Sequence, residues 1–235
     1  GVSLNNSAEV TAETLDQDPD DNTAAAITPV IPAGGFAPLY GAAQISGGPT
    51  VLYAIDALTG SATPIGPIGF NRISAMDFHP RTGVLYAVGE RPGTNTRVLI
   101  TIDLLTGRGT EVGPTHTNVI TDISFRDNDA VLFGYLSFEE LVTINLSTGL
   151  ASLVGAASVR GGAGNGLAFS SDGVLYHAGE EDLNSLVPAT GFATARFELS
   201  FPPPADDFPR INAMDFDPKS GVLFGSLNDG FGGEN

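Results

Sequence analysis

Cysteine and tryptophan are absent from the chain, and lysine occurs once, at Lys219. Without cysteine there is no disulfide, no thiolate nucleophile and no cysteine-ligated zinc. Lysine and arginine together number 10 against 27 aspartates and glutamates, giving a net charge of −17. Phosphate backbones and anionic membranes are bound through Lys and Arg, so this balance argues against both as partners. No apolar run is long enough for a membrane-spanning helix, which argues against membrane insertion. No long segment repeats its apolar residues every 3.6 positions either, which excludes helical bundles and doubly wound folds. An HExxH pair, a serine nucleophile elbow and a phosphate-cradling loop are missing. Gly161-Gly162-Ala163-Gly164 lacks the lysine and the helix that phosphate binding needs.

What is present is glycine, at 30 residues, proline, at 16, and a hydrophobic fraction of 42%. This combination describes a folding chain of short strands joined by many turns. The clearest feature is a repeated hairpin. Arg72 to Val88 reads RISAMDFHPRTGVLYAV and returns at Arg210 to Ser226 as RINAMDFDPKSGVLFGS. Each copy predicts an apolar strand, a tight turn and a second strand. In the turn His79-Pro80-Arg81-Thr82-Gly83, proline sets φ and glycine takes the positive-φ position.

Weaker copies fill the interval. A second kind of hairpin pairs Val51–Asp56 with Ser61–Gly66 around Leu58-Thr59-Gly60. It recurs around Leu105-Thr106-Gly107 and Ser147-Thr148-Gly149, and in degraded form around Thr190-Gly191. The equivalent aromatics Tyr40, Tyr86, Phe133, Tyr176 and Phe224 lie about 43 to 48 residues apart, the period of four-stranded propeller blades. A lone four-stranded sheet with two apolar faces cannot bury both, so such sheets must stack. The expected fold is all-β, a small β-propeller of four or five blades. The first unit lacks its opening strand and the last lacks its closing pair, so both chain ends together offer a route to closure. The chain starts at Gly1 without a signal peptide and is expected to be a processed product or a fragment.

Two resemblances sharpen this reading. Residues 39–235 resemble a family of secreted, poorly characterised bacterial β-propeller repeats. The matching residues are Leu52-Tyr53-Ala54-Ile55-Asp56, Thr59-Gly60, Ile65-Gly66, Phe216-Asp217-Pro218 and Gly221-Val222-Leu223-Phe224. Residues 1–30 resemble the last hairpin of the immunoglobulin-like conserved-repeat domain of long bacterial surface proteins. That likeness rests on Leu4-Asn5-Asn6-Ser7-Ala8-Glu9-Val10, Asp18-Pro19-Asp20, Asn22-Thr23-Ala24 and Thr28-Pro29-Val30. Residues 31–38, rich in Pro and Gly, read as a linker. Both resemblances imply an extracellular or cell-surface protein of a prokaryote, and neither specifies chemistry.

Candidate sites are few. Asp16, Asp18, Asp20 and Asp21 place carboxylates close together on one loop, a pattern that suits calcium; a solvated acidic turn is the plainer reading. Calcium is the one cofactor expected. Asp77, Asp122 and Asp215 sit on first strands, which line a propeller's channel. There they can form a metal-dependent hydrolase or lyase site, or simply bond neighbouring backbone amides. Asp56, Asp103 and Asn145 precede the Thr-Gly turns and predict Asx-turns. His79 reads as an exposed turn residue, and Arg72 and Arg210 as partners for carboxylates between blades.

The function expected from all this is a non-enzymatic structural or adhesive module, a filament or surface-layer subunit. It would associate head to tail with itself by adding its N-terminal strands to a neighbour's sheet. The rivals are the metal-dependent propeller hydrolase or lyase and a carbohydrate- or peptide-binding propeller. In the latter, loop aromatics such as Phe138 or Phe208 would stack on a surface polymer or protein ligand.

Overall fold

The computed structural model describes residues 3–9, 23–29, 38–44, 48–137, 140–157, 159, 166–179, 182–199 and 210–228. Every regular element among them is a strand. β1 (Ser3–Glu9) and β2 (Thr23–Pro29) form an antiparallel hairpin with Ser3 opposite Pro29. A three-stranded sheet follows: β3 (Leu39–Gln44), β4 (Thr50–Ile55) and β5 (Ala62–Pro67). The second blade is β6 (Asn71–Phe78), β7 (Leu85–Glu90), β8 (Arg97–Ile102) and β9 (Gly109–Pro114). The third is β10 (Ile120–Arg126), β11 (Val131–Leu136), β12 (Glu140–Ile144) and β13 (Ala151–Ala156). The fourth is β14 (Gly166–Phe169), β15 (Leu175–Ala178), β16 (Asp182–Leu186) and β17 (Ala193–Glu198). These four antiparallel sheets are arranged as a four-blade β-propeller. β18 (Arg210–Phe216) and β19 (Leu223–Asn228) pair as a further hairpin that packs on β14 and β15.

The strands of the second and third blades are apolar on both faces because each of these blades lies between two others. In β7, Leu85 and Ala87 enter the core shared with the first blade, while Val88 and Tyr86 enter the core shared with the third. In β11, Leu132 and Leu136 face the second blade, while Phe133 and Tyr135 face the fourth. Strand alternation therefore feeds two cores at once. Burying one such leucine contributes about 2 kcal/mol.

The periodic aromatics have a single role. Tyr40 meets Phe78 edge-on at 5.4 Å, Tyr86 meets Phe125 at 5.6 Å, Phe133 meets Phe169 at 5.3 Å and Tyr176 meets Phe216 at 5.9 Å. In each case the second strand of one unit offers its ring to the end of the first strand of the next, in the tilted geometry that ring quadrupoles favour.

The outer edges are held by a second repeated contact. Gly66, Gly113 and Gly155 lie in β5, β9 and β13. A Cβ on any of them would overlap the carbonyl oxygen of Thr106, Thr148 or Thr190 in the next blade's turn. The Ile-Gly strand end and the Thr-Gly turn are therefore two halves of one joint.

β18–β19 is a separate sheet and not the missing part of β3–β4–β5. Tyr40 in β3 is the counterpart of Phe224 in β19, so both strands are second strands. A single blade has room for only one of them.

Candidate functional site

The first strands β6, β10, β14 and β18 stand side by side at the centre and are joined there by side chains. Asp77 Oδ1 accepts the N–H of Phe78 at 2.6 Å, and its Oδ2 accepts the N–H of Phe125 in the next blade at 2.5 Å. Ser124, in the same column of the repeat, does likewise, accepting the Phe169 N–H at 3.0 Å. Asp122 accepts the Ile123 N–H at 2.9 Å and the Leu167 N–H at 2.7 Å, and also the Met214 N–H. One carboxylate thus ties three first strands together. Its column holds Ala75, Gly166 and Ala213 in the other units, and these small residues leave room for it. Ser74 adds a bond from its hydroxyl to the Ile120 carbonyl at 2.7 Å.

The three channel carboxylates named from sequence are near enough to feel one another. Burial, the Asp215 charge and the Asp122 charge raise Asp77 well above the ordinary carboxylate range, against the pull of its two amide donors. Burial, with a smaller contribution from Asp215, raises Asp122 despite its three amide donors. Asp215 keeps solvent contact yet is crowded by protein atoms. That crowding and the charges of Asp127 and Asp217 push it up to about 6, while the Phe216 N–H at 2.8 Å pulls the other way. Backbone N–H groups offset only part of this, and among the described residues no group of three or more His, Asp or Glu has the geometry to hold a metal ion. The arrangement can bind strands together.

A buried histidine was not foreseen. His177 is fully buried on β15 and stacks on Tyr135 of the preceding blade at 4.0 Å. Its column is otherwise Ala87, Gly134 and Gly225, so the departure from small residues was the available signal. Burial lowers its pKa to about 4. A neutral buried imidazole contributes stability in full above its unfolded value near 6.5, and this is lost as pH falls toward 4. We expect His177 to account for about 3 kcal/mol of acid destabilisation across that window. Asp77 and Asp122 act in the opposite sense: with raised values, they contribute most at low pH and less as pH rises. Thermal melts of wild type and His177→Gln between pH 7 and 4 isolate the histidine. A parallel fall in both proteins would show that His177 is not the source.

The turn residues behave as expected. Asp56 accepts the N–H groups of Leu58 and Thr59, both at 2.9 Å. Asp103 accepts those of Leu105 and Thr106, and Asn145 those of Ser147 and Thr148. His79 differs from its expectation. It is half-buried against Tyr86 and Phe125, and its Nδ1 accepts the N–H groups of Arg81 and Thr82. It performs the office that Asp217 performs for Ser220 in the twin turn. In the third unit's turn Ala130, at φ 58°, stands where the twin hairpins have glycine. Arg72 faces Glu90 of its own blade at 3.8 Å, not a neighbouring one. Asp16, Asp18, Asp20 and Asp21 lie outside the described residues, as do Phe138 and Phe208.

Fold and centre together define a small β-propeller whose first strands are joined through side chains. No protein-family model matches the chain, and no curated protein sequence matches it. Its shape is similar to a chain of a nidogen/laminin complex (TM-score 0.55, 15% identity, covering 80% of this chain and 70% of that one). It is similar also to a protein of unknown function from Bacteroides thetaiotaomicron VPI-5482 (TM-score 0.55, 16% identity, covering 84% of this chain and 57% of that one). A hydrazine synthase chain from Kuenenia stuttgartiensis matches with TM-score 0.43 and 12% identity over 63% of this chain, which spans 43% of that one. At these identities the likeness is one of fold.

Proposed function

We propose that the chain is a non-enzymatic, extracellular structural or adhesive module of a prokaryotic surface. Copies join head to tail through the N-terminal hairpin. The observation that carries this reading is the strand count: complete blades have four strands, while β1–β2 and β18–β19 are sheets of two. A lone hairpin is marginal in water, and the edge of β19 away from β18 has no strand beside it among the described residues. Adding β1–β2 of one copy to β19 of another makes a four-stranded blade held by main-chain bonds. A contact of this kind, if it does not close, grows a filament. The resemblance to secreted propeller repeats and to a surface-protein hairpin supports the location. The structural role is supported by Asp77 and Asp122, whose carboxylates accept backbone amides of neighbouring first strands. Calcium on Asp16, Asp18, Asp20 and Asp21 would cross-link the segment of chain between β1 and β2.

Deleting residues 1–35 is expected to leave a cooperatively melting β-protein that forms no filaments by negative-stain electron microscopy. Full-length filaments should shorten or vanish in chelator. Polymerisation by the deleted chain, or compact single particles from the full chain in calcium, would overturn the proposal.

A further inference from the structure

Where the second and third strands of the second blade meet, a polar cleft of about 800 Å3 separates the first blade from the second. Gln44, Asn71, Arg72, Glu90, Thr94 and Asn95 contribute to its lining. Glu90 ends β7 and is 8% exposed. Its carboxylate lies 3.8 Å from the Arg72 guanidinium and 3.7 Å from that of Arg97. Both separations exceed hydrogen-bond length, and among the described residues no hydrogen bond reaches its oxygens. Its oxygens open onto the cleft, unlike those of Asp77 and Asp122, which collect amide donors at the centre. Glu90 has its charge met by two arginines, and its oxygens face the cleft without a protein donor among the described residues. Beside it Arg72 is held at φ 45°, a left-handed backbone that is strained for a non-glycine residue. Its side chain is 78% exposed at the rim. Arg97 is fixed from behind by donating to the Thr117 carbonyl at 2.7 Å.

We infer that this cleft binds a neutral saccharide. Sugar hydroxyls donate and accept at once. They match a carboxylate that lacks donors set among guanidinium and amide groups that donate. The volume suits a disaccharide. The net charge of −17 disfavours acidic glycans, and with the Glu90 charge met by two arginines the cleft does not demand a cation. Glu90 accepts from a pair of vicinal hydroxyls, while Arg72 and the Asn71 and Asn95 amides contact the ring's other oxygens. The site requires no assembly and stands whether or not the filament reading does.

The test is saturation-transfer NMR and calorimetry on the full chain, with maltose, cellobiose and N,N′-diacetylchitobiose as probes and glucuronate as the acidic control. One neutral disaccharide is expected to bind at millimolar concentration and more tightly than glucuronate. Glu90→Gln should weaken it about tenfold, the loss expected when one charge-assisted hydrogen bond becomes neutral. Asn95→Ala, an exposed change that leaves the core intact, should weaken it as well. Circular dichroism reports the fold of each variant. Failure of all three sugars to bind wild type, glucuronate binding as tightly, or affinity unchanged in both folded variants would overturn the inference.

Discussion

Gly107→Ala should destabilise the propeller by about 3 kcal/mol or more, while Gly60→Ala should cost only about 1 kcal/mol. The two glycines occupy the same place in equivalent turns, with φ of 76° and 70°. Their backbone penalties on gaining a side chain are therefore equal. Their surroundings differ. A Cβ on Gly107 would overlap the backbone of Gly66 in the preceding blade, whereas nothing lies within 4 Å of the same atom built on Gly60. The difference between the two variants isolates the joint between blades from the conformational cost of the turn. Backbone cannot move aside as a flexible side chain does, so the second blade must separate from the first at its outer edge. Urea denaturation of both variants gives the comparison directly. Equal losses would mean that the outer joint contributes nothing to stacking.

The second large effect is expected at the centre. Asp122→Ala should cost about 3 kcal/mol or more, because it strands the buried N–H groups of Ile123, Leu167 and Met214 together. Ser124→Ala removes the equivalent single bond to Phe169 and should cost about 1 kcal/mol. Since the folded-state value of Asp122 is raised, its contribution is greatest at low pH. The gap between wild type and Asp122→Ala should therefore narrow as pH rises through that value. A loss at Asp122 no larger than that at Ser124 would show that the three-strand tie is not a stabilising element. Asp122→Asn, which keeps one acceptor, should fall between the two.

Much of the architecture was legible because its signals are local. A hairpin needs a strand that alternates, a turn with Pro and Gly at set offsets and a second strand, all within about 17 residues. The copies at Arg72 and Arg210 carry these features almost unchanged. The Asx-turns at Asp56, Asp103 and Asn145 close within three residues, so residue type and position sufficed. Even the spacing of Tyr40, Tyr86, Phe133 and Tyr176 was readable, though not what those rings touch.

The candidate site was legible only as a set of residues. Asp77 and Asp122 were identifiable as channel carboxylates from their place on first strands. That their oxygens accept backbone amides depends on atoms 45 and 48 residues away in the chain. The period shows that blades recur; it does not show which donor of one blade meets which acceptor of the next. His177 was overlooked for the same reason, since its burial is set by Tyr135 of the facing blade, and Glu90 because its two arginines come from strands on either side of β7.

Sequence by itself therefore determined the all-β class, the repeating hairpins, the turn chemistry and the acidic, cysteine-free surface. Each follows from bonds and periodicities spanning a few residues. The tertiary structure alone decided the roles of the glycines at the outer joint and of the carboxylates at the centre, the burial of His177 and the separation of β18–β19 from β3. Those depend on stacking, which joins groups 35 or more residues apart and sets, atom by atom, which polar groups find partners.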